Sequence, residues 1–319
     1  MSVLDPNTFQ ALLSTLPQQL SNGLILGSIY ALVALGYTMV YGIMGLINFA
    51  HGEVMMFGAM ICIAFLSVFS GFDINLWIAL PCAVLLTLPC CALLGWSIER
   101  VAYRPLRQAP KLAPLISAIG VSIVLQNLAM LFWGRGNIPF PALQNLTPMQ
   151  IAGANITSVQ IGIVMMAAIL MWVLYLLIER TQMGRAMRAC AQNPDVAGLM
   201  GINLNKVIAS TFILGSGLAA IAGIMVSANY GQANATMGFM FGLKAFCAAV
   251  LGGIGNIRGA MLGGLLLGLI ESLGAGYLGH LSNGYFGSQY QDVFAFLMLI
   301  LVLVFRPSGL LGEKQGERA

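Results

Sequence analysis

The stretch INFAHGEVMMFGAMICIAFLSVFS, residues 47–70, decides what kind of fold this chain adopts. From residue 51 onward it forms an apolar run long enough to cross a bilayer as a helix, which needs about 20 residues. The run nevertheless begins with two titratable side chains, His51 and Glu53. The stretch therefore predicts a membrane helix that starts, or is broken, at a polar point.

The whole chain, like this stretch, is rich in apolar residues and poor in charged ones. Of the 319 residues, 59% are hydrophobic and only 8% are charged, and the mean hydropathy is +0.89. A soluble domain carries about 25% charged residues, so these charges are too few to cover a globular surface in water. The chain is therefore predicted to be a polytopic membrane protein, and its net charge of +4 is too modest to indicate a nucleic-acid partner.

Apolar runs divide the chain into membrane segments. They fall at about 20–43, 51–70, 76–98, 113–133, 159–178, 207–228, 240–254, 259–278 and 291–305. Several can cross a hydrocarbon core of about 30 Å as helices, whereas the runs at 51–70 and 240–254 suit short or broken helices. The expected fold is all-α, a transmembrane helix bundle of about nine segments (eight to ten), forming a single domain over residues 1–319.

The first 18 residues precede the spanning segments. Apolar residues at helical spacing between Phe9 and Leu16 predict a short helix lying in the membrane interface. Because proline interrupts a helix, this helix is expected to end near Pro17.

Lys and Arg predict the orientation of the bundle. Eleven of the 14 basic residues fall in three regions, namely residues 100–111, the loop 179–206 and the C-terminus from Arg306. All three lie on one side if nine segments cross the membrane, and the positive-inside rule makes that side cytoplasmic. The C-terminus is then cytoplasmic, and the N-terminus and residues 136–158 are extracytoplasmic.

The cytoplasmic loop 179–206 contains signals for a short helix over about 194–200. Asn193 is a good N-cap, Pro194 suits the first helical position, and Gly201 can take the left-handed conformation that ends a helix. Three apolar residues share one face of it: Val196, Leu199 and Met200. An isolated helix this short is unstable in water, so its apolar face needs a partner. That partner is either a separate cytoplasmic protein or the membrane surface and the ends of the spanning helices.

The polar residues at the start of the second run leave three interpretations open. His51 and Glu53 are two residues apart and project about 200° apart on a helix, so they cannot face one ligand. A carboxylate in a membrane helix normally faces the bundle interior, a watery cavity or the interface. Glu53 is therefore a structural cap, part of a substrate path or gate, or a member of a proton relay. No metal site or hydrolase motif is evident.

Residues 250–272 (VLGGIGNIRGAMLGGLLLGLIES) are rich in glycine. Gly259 with Gly263, and Gly264 with Gly268, form small-xxx-small pairs that allow helix backbones to approach closely. The segment GGIGNIRG is not a phosphate-binding loop, because it lacks the Gly-Lys-Ser/Thr ending. No Walker A sequence occurs anywhere in the chain, so any ATP-driven transport must use the ATPase activity of another polypeptide.

Several stretches together resemble one family. They are GSIYALVALGYTMVYGIMGLINFAHGEVMMFGA, GRAMRACAQNPDVAGLMGINLNKV, LAAIAGIMVSANYG, AAVLGGIGNIRGAMLGGLLLGLIE and RPSGLLG. From about residue 20 onward, the chain resembles the permease subunits of branched-chain amino acid ABC importers, of the LivH type. The run NFAHGE and the loop LMGIN are specific signatures of this resemblance.

The resemblance implies partners and site residues. Such permeases pair with a second, homologous permease subunit, are driven by two cytoplasmic P-loop ATPases, and receive Leu, Ile or Val from a periplasmic binding protein. In related sugar importers a similar loop couples to the ATPase, which implies this role for Asp195, Val196, Ala197, Leu199, Met200 and Gly201. A polar broken segment in those permeases favours a path or gate role for Asn48, His51, Gly52 and Glu53, with Asn256 as a further candidate.

The resulting expectation is a multi-pass permease of a bacterial inner membrane, without catalytic residues, metal or cofactor. Related importers carry urea or short amides, and these solutes are the alternative substrates within the same class. A proton-coupled secondary transporter or a channel working alone is the rival class, and it would require a chain of acids or His within the spanning runs.

Overall fold

The protein is described by a computed structural model over residues 6–110, 112–141, 148–151, 153–281, 290–306 and 308–312. The helices in this part of the chain are α1 (Pro6–Met44), α2 (His51–Ser70), α3 (Leu76–Ile98), α4 (Leu112–Trp133), α5 (Ser158–Arg180), α6 (Gln182–Gln192), α7 (Pro194–Leu199), α8 (Leu204–Tyr230), α9 (Met237–Gly252), α10 (Ile257–Leu281) and α11 (Gln291–Phe305). The predicted all-α bundle is confirmed. Of the basic residues that predicted the orientation, Lys111, Lys314 and Arg318 lie outside the described residues.

The membrane segments match the apolar runs of the sequence. Seven of the described helices are long and apolar enough to cross a membrane, and α9 and α11 are shorter apolar helices. The 16 residues of α9 make a helix of about 24 Å, less than the hydrocarbon core. The expectation of about nine segments, some of them short, is therefore confirmed.

Four short strands make two antiparallel pairs beside the helix ends. Strand β1 (Ile138–Pro139) pairs with β4 (Gln232–Ala233), and β2 (Met149–Ile151) pairs with β3 (Ala154–Ile156). The first pair ties the segment after α4 to the segment after α8. All four strands follow or precede spanning helices, so they lie at helix ends.

Helix α1 does not end near Pro17, and that prediction is wrong. The helix continues through this proline for 39 residues in total. Just after it, Gln18 exchanges hydrogen bonds with Asn155 of β3: its Nε2 donates to the Asn155 carbonyl at 3.3 Å, and its Oε1 accepts from the Asn155 N–H at 2.7 Å. A proline removes one N–H and strains the preceding turn, and here tertiary contacts hold the helix through that point.

The core consists of α1, α2 and α8. In their most apolar windows 94%, 67% and 67% of the residues are buried, against 22–28% in α3, α4 and α5. Helix α1 packs on α10 and α8, while α2 packs on α8 and α3. The outer helices expose large apolar side chains, among them Leu131, Phe132, Trp172 and Val304. Such a surface suits contact with lipid.

Glycines allow α1 and α10 to pack backbone to backbone. A Cβ at Gly264 would overlap Ala31, and one at Gly268 would overlap Gly27, so the two helices run antiparallel in close contact. The other pair, Gly259 and Gly263, faces α9 in the same way. The close packing predicted from the small-xxx-small pairs is confirmed.

Candidate functional site

The polar start of α2 lies inside the bundle. Gly45, at φ +64°, ends the helical path of α1, and the Oδ1 of Asn48 accepts from the Ala50 N–H at 3.1 Å, which turns the chain into α2. The side chains of Asn48, His51 and Glu53 are all buried. Buried backbone groups need partners, and Asn48 supplies one at this helix break.

His51 points toward α1 and α8. Its ring meets the Tyr37 ring edge-on, with 4.8 Å between centroids, and it occupies space that a Cβ at Gly36 would fill. Gly215 of α8 leaves room on the other side. Within the described structure the Nε2 atom of His51 has no hydrogen-bond partner, although the residue is only 1% exposed.

Glu53 points toward α4 and α9 instead. Its Oε1 accepts from the Ser122 hydroxyl at 3.0 Å, whereas its Oε2 has no partner among the described residues. A Cβ built on Gly238 of α9 would lie 2.6 Å from that Oε2. The prediction that His51 and Glu53 face different neighbours is confirmed. Because a buried carboxylate with one unpaired oxygen is costly, the position calls for a functional explanation.

Gly52 is the point at which α2 touches α9. A Cβ there would overlap the Gly238 carbonyl and come within 2.9 Å of the Gly242 Cα. The four predicted residues Asn48, His51, Gly52 and Glu53 thus lie together where α2 meets α1, α4, α8 and α9. A shift of any of these helices would change the environment of both titratable groups.

Asn256 makes two hydrogen bonds at the turn between α9 and α10. Its Oδ1 accepts from the Gly259 N–H at 3.1 Å, and its Nδ2 donates to the Leu311 carbonyl at 2.8 Å. It therefore caps α10 and fastens the described C-terminal residues to the α9–α10 turn. Both contacts are structural, and the predicted path role of Asn256 stays a prediction.

The short helix predicted in the loop 179–206 forms, as α7. The Oδ1 of Asn193 accepts from the N–H groups of Asp195 and Val196, each at 3.1 Å, and Gly201 has φ +85°. Leu199 is 88% and Met200 79% exposed. Val196 is also exposed, while Ala197 is buried against the rest of the loop. The apolar face is thus uncovered within the described chain.

A buried ionic cluster joins four helices and was not predicted as a site. Lys244 of α9 lies 2.6 Å from Glu271 of α10 and 2.6 Å from Asp292 of α11. Tyr30 of α1 and Gln291 of α11 donate to the same Glu271 Oε1, at 3.1 and 2.6 Å. The sequence contains one indication of this cluster, a single Lys and a single Glu in successive apolar runs, because charged residues in membrane helices usually pair with one another.

A polar cavity of about 250 Å³ lies beside the cluster, among α1, α5, α8, α10 and α11.

In the described part of the chain no group of three or more His, Cys, Asp or Glu side chains could hold a metal ion. The six cysteines are all free, and Cys82 and Cys90 are exposed while the other four are buried.

A buried polar break at the start of a membrane helix is a common feature of membrane transport proteins. The chain belongs to the family described as "Branched-chain amino acid transport system / permease component", whose sequence profile matches residues 19–303. It is thus a multi-pass membrane permease, as the motifs predicted.

Individual relatives agree with this assignment. The chain is 45% identical to the high-affinity branched-chain amino acid transport system permease protein LivH of Escherichia coli (strain K12), over 94% of this chain and 97% of that protein. It is 47% identical to the corresponding permease protein BraD of Pseudomonas aeruginosa, over the same shares of the two chains. A more distant relative is the ribose import permease protein RbsC of Haemophilus influenzae, 25% identical over 87% of this chain and 81% of that protein.

Proposed function

We propose that the chain is the transmembrane permease subunit of an ATP-driven importer that carries Leu, Ile or Val into the cytoplasm. The observation that carries the proposal is its 45% identity, across 94% of the chain, to a high-affinity branched-chain amino acid permease. A transporter for urea or short amides is the alternative within the same class.

ATP is hydrolysed by partner subunits in this proposal. The chain has no Walker A sequence, and α7 presents an apolar face that needs a partner. The complex would contain a second, homologous permease subunit and two cytoplasmic P-loop ATPases, and a periplasmic binding protein would deliver the substrate. The residues that couple to an ATPase would be Asp195, Val196, Ala197, Leu199, Met200 and Gly201.

The bundle itself would act passively. ATP binding would bring the ATPases together, α7 would move with them, and the bundle would change the side to which it opens. Asn48, His51, Gly52 and Glu53 would form the gate, with Asn256 at the neighbouring turn. The unpaired Nε2 of His51 and Oε2 of Glu53 support this role, because either atom can gain a partner when the helices shift.

The chain would lie in a bacterial inner membrane, with its C-terminus in the cytoplasm and its N-terminus outside. The basic residues after α3 and around α6 support this orientation by the positive-inside rule. Nine membrane helices then place the two termini on opposite sides.

The experiment that tests the proposal is purification of the tagged chain from its native membrane in mild detergent, followed by reconstitution into vesicles. We expect a second permease and two ATPases to copurify, and ATP with the binding protein to drive uptake of radiolabelled leucine. Complexes whose ATPases lack the Walker A lysine are the matched control. A chain that copurifies with no ATPase, and takes up leucine in response to a proton gradient, would instead be a secondary transporter; uptake of urea but not leucine would establish the alternative substrate.

A further inference from the structure

The end of α3 contains an irregular turn that packs on two different parts of the bundle. After Ile98 the helix continues as a π-helical turn, Glu99–Tyr103, and then as a 3₁₀ turn, Arg104–Leu106. Both Glu99 and Tyr103 are buried, at 1% and 0% exposure. Single π turns within helices occur frequently at functional sites, and a buried Glu normally has a specific partner.

One end of this segment reaches the helix that follows α7. Arg107 forms an ion pair with Glu99, and its Nη1 donates to the Oδ1 of Asn205, in the first turn of α8, at 2.6 Å. The connection from α7 to α8 is short and itself hydrogen-bonded, since the Ile202 N–H donates to the Ala197 carbonyl at 3.0 Å. A displacement of α7 therefore moves the partner of Arg107.

The other end reaches the polar start of α2. The Tyr103 hydroxyl lies 3.1 Å from the Asn48 Oδ1, to which it donates, and 3.4 Å from the Ile47 carbonyl. The same Oδ1 accepts from the Ala50 N–H, so Tyr103 contacts the group that turns the chain into α2. The Tyr103 ring also packs on Phe212 of α8, with 5.2 Å between the ring centroids.

We propose that residues 99–107 transmit movement of α7 to the gate, and that Tyr103 is the positioning residue that holds Asn48. The inference rests on the proposed function and adds its route of coupling. Arg107 and Tyr103 lie on the same segment, and both contact α8, Arg107 at Asn205 and Tyr103 at Phe212. When the start of α8 moves, the segment either follows it and pulls on Asn48 or loses its hydrogen bonds.

The test is the coupling ratio, the number of leucine molecules taken up per ATP hydrolysed, in the reconstituted complete transporter. Tyr103→Phe keeps the ring on Phe212 and removes only the hydroxyl donor. We expect the ratio to fall about fivefold, the factor that one neutral hydrogen bond is worth, while the yield of assembled complex stays unchanged. Arg107→Lys retains the charge but cannot span Glu99 and Asn205 together, and we expect a smaller fall.

Tyr175→Phe is the matched control, because this hydroxyl of α5 accepts from Arg258 at 2.9 Å and lies outside the proposed route. Its coupling ratio should equal that of the wild type. In an Asn48→Ala background, Tyr103→Phe should cause no further fall if the two residues act through their contact.

Wild-type ratios in both Tyr103→Phe and Arg107→Lys would overturn the inference and leave the proposed function intact. If Tyr103→Phe fails to assemble, the ratio of Arg107→Lys decides alone. A wild-type complex that takes up no leucine with ATP would overturn the proposed function, and this route of coupling with it.

Discussion

The ammonium nitrogen of Lys244 lies 2.6 Å from the Oε1 of Glu271, a carboxylate with no exposed surface. The pair joins α9 to α10 between apolar faces, and Tyr30 and Gln291 donate to the same oxygen. Desolvating two charges opposes folding, and their attraction offsets this only when geometry and further hydrogen bonds are good. Here each of the two charges has a partner. The pair also holds α9, the short helix that contacts Gly52, in position.

Removal of the Lys244 charge should destabilise the bundle strongly. In Lys244→Met the carboxylate of Glu271 remains buried without a countercharge. Removing one partner of a buried ion pair lowers the free energy of unfolding by about 3–5 kcal/mol. We expect a lower thermal midpoint of the purified complex in detergent. The exposed Lys206 offers the control Lys206→Met, which should leave the midpoint unchanged.

The double variant Lys244→Met with Glu271→Gln should recover most of this loss, because the buried negative charge is removed as well. If the double variant is as unstable as Lys244→Met, the cluster contributes through packing and not through charge.

Glu53→Gln should impair transport without preventing assembly. The amide keeps the size of the side chain and can still accept from Ser122, but it removes the titratable group at the meeting point of α2, α4 and α9. The measurement is leucine uptake in vesicles, with copurification of the ATPases as the check on docking. Ser122→Ala is the companion variant, which retains the titratable group and removes its donor. Unaffected uptake in Glu53→Gln would identify the carboxylate as a tolerated helix cap.

Gly58→Ala should destabilise the contact between α2 and α8. An added Cβ would overlap Ala220, and overpacking of this kind costs about 1–3 kcal/mol. Gly120→Ala in α4 is the matched control, because a Cβ there has open space and alanine favours a helix by about 1 kcal/mol. Thermal midpoints should therefore move in opposite directions, and a stabilised Gly58→Ala would contradict the close packing.

Leu199→Asp should uncouple uptake from ATP hydrolysis. The side chain is 88% exposed, so the substitution leaves folding intact but places a charge on the apolar face of α7. We expect the protein to reach the membrane in normal amounts and to lose leucine uptake. Leu199→Met, which retains an apolar side chain, should transport normally. Normal uptake in Leu199→Asp would show that α7 does not carry the coupling.

Much of the site was predictable because its determinants are local. Asn193, Pro194 and Gly201 specify the ends of α7 within nine residues of chain, and the spacing of His51 and Glu53 already separates their directions. The hydrogen bond from Asn256 to the Leu311 carbonyl could not be predicted locally, because the two residues are 55 positions apart. The continuation of α1 through Pro17 likewise depends on Asn155, which is far along the chain.

The class of protein, the membrane helices and the polar start of α2 all follow from the order of residues along the chain. In lipid each helix must satisfy its own backbone hydrogen bonds, so an apolar run of sufficient length is enough to specify one. The contacts of Lys244 with Glu271 and Asp292, and of Tyr103 with Asn48, are seen only in the folded structure. Lipid is as apolar as the helices, so the hydrophobic effect does not determine which helices pack together. Close contacts at glycines and polar side chains from distant segments determine it instead.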